Sequence, residues 1–498
     1  MITTLIFASV IAIFLARYLY KKKHARFYQL LQQFPSYTSY PIIGNLLMLK
    51  DHSGDFVQKL EKCLQPHDRL MFWLGTTPAL LLKNYEDIMT VLSQCNSNDL
   101  SKFVKPWSGA AIATSRQETW KTSKKILVHA FTSEMLSKYA NVFNKSAANL
   151  VDELKQVANT DQAIDVLNVL CVCSRNAIIE NSLGSSLRNF GEENRFGESF
   201  QVVIEDIMKR IFTFWLHPQF VYSAYLRITG KIKIANHIHD LTSKVIRNKL
   251  NAYHRGTHKF DDGHPPETIV DVLVQKSFQE TSMTEIRIRD EVLQIINAAV
   301  ETSSITMSYL MLMLAMHQNI QQRVYEEIVQ LMGDDATITA DHSFNHLKYL
   351  EQCIKETCRM YSHVTLINRY TEKEHMLDDG KVIPAGIIVL PLARYAYKDP
   401  RLFANPQKWD PQHFSEEALA KRPKGSEMIF GYGPRTCLGQ KYSLMSIKTQ
   451  IAYILREYHL STDIKEIKEK DFTVDFMVRS KFGYPIKFAS RKKTEATL

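Results

Sequence analysis

Seven cysteines occur in the 498-residue chain, and one of them, Cys437, stands where chemistry could be built. It lies in Phe430-Gly431-Tyr432-Gly433-Pro434-Arg435-Thr436-Cys437-Leu438-Gly439. Gly431 and Gly433 permit backbone angles closed to other residues and Pro434 fixes one, so the loop follows a defined tight path. Apolar spacing from Gln440 to Glu457 predicts a helix directly after it. The unpaired N–H groups and dipole of that helix would stabilise a thiolate at Cys437 and lower its pKa. Gly439 leaves room for a flat macrocycle, Phe430 can shield the sulfur from water, and Arg435 offers a cation to a carboxylate of the macrocycle. The cysteines show no repeated CxxC pairs, so neither a zinc site nor a disulfide framework is indicated, and a reducing compartment suits them.

Taken whole, the stretch resembles the haem-binding signature of the cytochrome P-450 superfamily, Phe-x-x-Gly-x-Arg-x-Cys-x-Gly, with every fixed position filled. The resemblance implies haem b with Cys437 as the axial thiolate, an electron-rich ligand that favours O–O cleavage of dioxygen. It also implies a long helix crossing the haem with an acid and an alcohol beside small residues, and Ala298-Ala299-Val300-Glu301-Thr302-Ser303 matches. There the Thr302 hydroxyl would bond back to the Ala298 carbonyl, loosening the helix and opening space for dioxygen, while Glu301 passes protons toward it. The family usually has Gly where Ala299 stands.

Further motifs carry departures. Glu356-Thr357-Cys358-Arg359 is similar to the family's Glu-x-x-Arg helix motif, in which acid and base share one helix face. The usual third member, an Arg in Pro-x-Arg-Phe, is replaced in Pro411-Gln412-His413-Phe414; a neutral imidazole at His413 would be a weaker, pH-dependent partner for Glu356. Trp120 and Lys124 fall where the family holds a haem propionate, with Lys in the usual Arg position. Arg369 matches another propionate position or is a surface salt-bridge residue; the prolines that normally precede it are absent from Tyr361 to Leu366. The wording of the chain is similar to the eukaryotic microsomal clan of fatty-acid ω-hydroxylases and their insect relatives.

To position these groups the chain needs mostly helices. Helical spacing dominates Lys138 to Gln156, Glu267 to Glu280 and the unusually long Met283 to His317, while strand-like runs appear at Leu70 to Trp73, Leu80 to Leu82, Ile387 to Leu390 and Phe472 to Val478. The expected architecture is mainly α (α+β): a single cytochrome P-450-type helix-rich domain with small β-sheets over 46–498. Residues 258–266 read as a plain connecting loop. The aromatic stretch from Ile211 to Tyr222 is either helix-packing core or an apolar surface dipping into a bilayer.

Ahead of the domain, Ile2 to Ala16 is free of charge and is followed by Arg17 and the basic run Lys21-Lys22-Lys23-His24-Ala25-Arg26. This order predicts an uncleaved N-terminal transmembrane anchor over 1–20, a basic and proline-containing linker over 21–45, and a catalytic domain facing the cytosol from the endoplasmic reticulum membrane. The net charge of +10 comes without basic runs interleaved with stacking aromatics, so a membrane surface or an acidic protein is expected and nucleic acid is not. The resemblance implies a monooxygenase placing one oxygen atom of dioxygen into an apolar small molecule: a fatty acid, terpenoid, pheromone or xenobiotic. Electrons would come from an NADPH-cytochrome reductase, with cytochrome b5 as a second donor, since the chain has no Gly-rich dinucleotide fingerprint. Lys424, Lys441 and Lys448, close in sequence to Cys437, are candidates for the docking patch or a plain solvated face. Two alternatives are a haem-thiolate isomerase or dehydratase, against which Glu301-Thr302 argues, and a non-catalytic protein that sequesters hydrophobic ligands.

Overall fold

Thr284 opens the longest helix of the protein by accepting a hydrogen bond from Arg287 N, and the helix then runs without interruption over Glu285–Met316. Its 32 residues span about 48 Å. In this computed structural model, residues 19–491 are described, apart from 42, 52–54, 110, 185–192, 256–265, 281, 333–336, 362–363, 366 and 475–476. Most of the central helix is buried, and Met307 to Met316 are apolar on nearly every side, as such burial requires. It packs against Leu167–Leu183, Lys231–His254, Lys348–Met360 and Gln440–Glu457, and Ser133–Leu154 packs against the first and last of these.

The helix takes part in two apolar cores. Ile288, Val292, Leu293 and Ile296 belong to one, with Ile178, Val245 and Met445, and Ile305, Met307 and Tyr309 to Ala315 belong to the other, with Leu170, Ile354 and Ile451. Between them lies the short stretch with Ala298, Ala299 and Thr302, where small and polar side chains leave space. Among the described residues only this helix is long and apolar enough to cross a membrane, and most of its apolar window is buried inside the protein.

The sheets are small, as expected. Arg69–Leu74 and Thr77–Leu82 form an antiparallel hairpin; Ile388–Pro391 adds to it in parallel, and Arg369–Tyr370 closes the order on the far edge. Tyr458–Ser461, Pro485–Ser490 and Ile164–Asp165 make a three-stranded sheet. The run expected as one strand over Phe472 to Val478 is instead a hairpin, Phe472–Val474 against Val478–Ser480. Of the anchor expected over 1–20, all but Leu19 and Tyr20 lies outside the described residues, as does most of the connector at 258–266. The segment expected as a linker is bound to the domain. Met71 N donates to Pro35 O at 2.8 Å, and the Asn45 amide accepts from Trp73 N at 2.8 Å while donating to Tyr37 O and Thr38 O.

The Glu-x-x-Arg motif builds a buried lock. Arg359 donates to both oxygens of Glu356, at 2.7 and 2.8 Å, and to the carbonyls of Tyr397, Pro406 and Lys408. His413 completes it: Nδ1 meets Glu356 Oε1 at 3.0 Å and Nε2 meets Ala404 O at 2.6 Å. Each ring nitrogen thus faces an oxygen of the lock, so His413 takes the place expected for it beside Glu356 and reaches Ala404 as well. His413→Leu, which fills the site without donors, is expected to lower the unfolding free energy by about 1–3 kcal/mol. Denaturant unfolding checks this, and an unchanged midpoint would mean that Arg359 alone carries the lock.

Candidate active site

The cysteine loop takes the path that its glycines and proline require. Gly431 and Gly433 have φ of +77° and +74°, and a β-carbon at Gly433 would lie 2.2 Å from the Leu92 carbonyl oxygen. After the short turn Gly433–Arg435, Cys437 N donates to Phe430 O at 2.8 Å, and the helix Gln440–Glu457 starts from its cap at Gly439. Cys437 is thus held two residues ahead of that cap. Its side chain opens into an internal cavity of about 470 Å³. Burial pushes the Cys437 thiol above its ordinary pKa, and the Gly439 N–H pulls the other way. The helix terminus alone therefore does not produce the lowered pKa expected from sequence; a cation at the sulfur would be needed to hold the thiolate.

Trp120, Lys124, Arg369, Phe430, Arg435 and Gly439 all line this cavity with Cys437, and so do Ala298, Ala299 and Thr302. Trp120 and Lys124 come from the helix Gln117–Leu127, one turn apart. The Lys124 ammonium lies 5.1 Å from the centre of the Trp120 ring and donates to Pro434 O at 2.8 Å; the Arg435 guanidinium lies 4.7 Å from the same ring. Arg435 also donates to the carbonyls of Asn96, Ile112 and Ser115, at 2.8, 3.0 and 2.6 Å. Arg369 sits on the edge strand of the four-stranded sheet, 5% exposed, which rules out a surface salt bridge. One nitrogen donates to Asn368 O at 2.9 Å, and Nε is buried without a partner among the described residues.

Burial pulls the Arg369 pKa down to about 10; burial, and next the charge of Arg369, pull that of Arg435 down to about 9. Among the described residues no carboxylate lines the cavity. Three cations around a shared space with no acid to balance them call for an anion. The two carboxylates of haem b supply one. The sulfur supplies a metal ligand, and a β-carbon at Gly439 would stand 4.0 Å from Cys437 Sγ, on the ground a macrocycle needs. The residues present therefore fit the group.

On the central helix the Thr302 hydroxyl donates to Ala298 O at 2.7 Å, as expected, yet the helix stays α-helical through this turn and does not loosen. Glu301 is the one expected site residue outside the cavity lining: its carboxylate is paired with Arg479 of the Val478–Ser480 strand. Lys424 and Lys441 are exposed, but Lys448 is 1% exposed and bonded to Glu351 Oε2 at 2.6 Å, so it is removed from any docking patch. Sequence reasoning missed Gln294 as a lining residue, although its spacing from Ala298 and Thr302, four and eight residues, places all three on one helix stripe. The aromatic stretch divides: Tyr222 and Leu216 are core, whereas Trp215 is 61% and Phe220 is 78% exposed.

Comparison with known proteins agrees with this geometry. A family model described as Cytochrome P450 matches residues 34–486. The chain is 26% identical to cytochrome P450 4c3 of Drosophila melanogaster, over 98% of this chain and 95% of that protein. It is 26% identical to the probable cytochrome P450 4d20 of the same fly, over 84% and 85%, and 24% identical to human cytochrome P450 4V2, over 95% and 92%. The chain belongs to the cytochrome P450 family, whose members bind haem b through a cysteine thiolate and draw on NADPH through a reductase, and it is a monooxygenase of that family.

Proposed function

We propose that this monooxygenase oxidises an apolar small molecule (a fatty acid, terpenoid, pheromone or xenobiotic), with Cys437 as the axial thiolate of its haem. One oxygen atom of dioxygen enters the substrate and the other leaves as water, with two electrons and two protons supplied. Haem ligated by thiolate supplies the activation of dioxygen when bound. The chain's own residues do the rest. Lys124, Arg369 and Arg435 hold the propionates, Trp120 and Phe430 wall the macrocycle and the sulfur from water, Gly439 leaves it room, and Thr302 offers a hydroxyl inside the cavity to position a proton. Glu301 refills that hydroxyl once it has parted from Arg479 and taken up a proton from solvent.

The observation that carries this reading is the single cavity into which Cys437, three cations and Thr302 all open, lined elsewhere mainly by apolar side chains such as Ile178, Ile295 and Ile367. Electrons come from an NADPH-dependent flavin reductase that docks by its acidic surface near exposed Lys424 and Lys441, with cytochrome b5 as a second donor. Residues 1–20 anchor the chain in the endoplasmic reticulum membrane with the catalytic domain in the cytosol. Exposed Trp215, Phe220 and Ile228, beside exposed Lys209 and Arg227, suit the same membrane surface. A screen of apolar compounds for spin-state absorbance shifts, followed by product identification with reductase and NADPH, tests the function. Hits that yield oxygenated products support it, and ligands that shift the spectrum but are never oxidised would overturn it.

A further inference from the structure

One wall of the cavity has no regular secondary structure of its own. Residues 111–115 form a turn-rich run of which Ile112, Ala113 and Thr114 face the cavity. Such a wall would ordinarily be soft, because its backbone groups have no ladder to join. Here each is engaged. Ile112 N donates to Glu291 Oε2 at 2.9 Å, Ala113 N donates to Gln294 Oε1 at 2.6 Å, and Gln294 Nε2 donates to Thr114 Oγ1 at 3.1 Å. On the carbonyl side Ile112 O and Ser115 O accept from Arg435, and Ala113 O accepts from Asn98 Nδ2 at 3.0 Å.

The donors and acceptors that do this are buried. Glu291 is 0% exposed and Gln294 is 7%, packed among the buried Ile288, Val292, Leu293 and Ile296 of the same helix. A buried carboxylate is costly, and Glu291 is compensated by the Ser123 hydroxyl and by Arg287 at 3.1 Å. Apolar packing would attach a loop to a helix at lower cost; what polar groups add is a fixed backbone position. Gln294 uses both ends of its amide on the wall, so it has little left for a substrate. It lies on the stripe of Ala298 and Thr302, about 12 Å along the axis from Thr302 at 1.5 Å per residue.

We propose that Glu291 and Gln294 are positioning residues that pin 112–114 as a preformed cavity wall and thereby set how far a molecule can extend from the atom it presents beside Thr302. This rests on the monooxygenase reading of the cavity. Gln294→Met keeps the shape and removes both bonds. Gln294→Glu can accept from Ala113 N and bond to Thr114 Oγ1 whether or not it is protonated, so it should restore the wall.

The test uses the full chain and two readouts. Backbone amide exchange at residues 112 and 113, measured without substrate, is expected to quicken about tenfold in Gln294→Met and to return in Gln294→Glu. Haem-loaded protein is then titrated with 1-alkylimidazoles of increasing chain length, whose nitrogen anchors at the iron while the tail meets the wall. The wild type is expected to show a chain length beyond which affinity falls, Gln294→Met to bind the longest tails about tenfold more tightly, and Gln294→Glu to recover the cut-off. Unchanged exchange in Gln294→Met would overturn the clamp. Faster exchange with an unmoved cut-off would overturn its part in specificity. Amide exchange is read on the chain whether or not haem is bound, so a failure of the monooxygenase reading would be seen separately.

Discussion

Cys437→Ser is expected to abolish the carbon monoxide absorbance band of thiolate-ligated haem, and turnover with it, while the fold survives. The loop does not depend on sulfur for its shape. It is closed by the Cys437 N–H on Phe430 O at 2.8 Å, turned by the left-handed Gly431 and Gly433, and held from outside by Lys124 on Pro434 O. A serine hydroxyl has no accessible anion at neutral pH and would not give the metal the electron density a thiolate does. The reduced, carbon monoxide-treated difference spectrum measures the loss, and a melting curve confirms that the scaffold stands. A variant with an unchanged band would remove Cys437 from the metal and assign the sulfur ligand to another cysteine.

The second large effect is expected in coupling. Thr302→Ala should keep haem and the carbon monoxide band, and should go on consuming NADPH, while product formed per NADPH falls about 10²-fold, the scale of a positioned proton-transfer group. The helix itself should not suffer. The bond from Thr302 to Ala298 O is a side-chain bond back along a helix that is already regular, so stability should change by less than about 0.5 kcal/mol. Simultaneous measurement of NADPH consumption, product and peroxide tests the expectation, and unaltered coupling would reject a proton role for Thr302. Of the acid-alcohol pair, the alcohol is the member that already lines the cavity; Glu301 must part from Arg479 and take up a proton before it can pass one on.

What the sequence disclosed divides by the range over which a physical cause acts. The cysteine loop could be read residue by residue because its causes are local: two glycines, a proline and a helix start within ten positions. The central helix, the Gln440–Glu457 helix and the strands around Leu70 to Leu82 and Ile387 to Leu390 followed from periodicity and were recovered with ends shifted by a few residues at most. Pairings across the fold were legible only where the resemblance supplied them. The resemblance placed His413 beside Glu356, 57 positions away, but nothing near it announces that Ala404 will approach its other nitrogen. Lys448 looked like any surface lysine until its helix was packed and Glu351, 97 positions distant, was brought to it. Arg479 could not have been matched to Glu301, because the hairpin that carries it was read as one strand. The thiol of Cys437 erred in the opposite sense: the helix end was visible in the sequence, but the extent of its burial was not.

The lock around Glu356 also explains which of its members can be exchanged. His413 meets only two oxygens, one at each ring nitrogen, so a ring can stand where a guanidinium is usual. Arg359 serves five: two carboxylate oxygens of Glu356 and the carbonyls of Tyr397, Pro406 and Lys408. Its side chain has five N–H groups, and no other natural residue has more than three. Drift is therefore open at the first position and closed at the second, since even lysine at 359 would strand two buried oxygens.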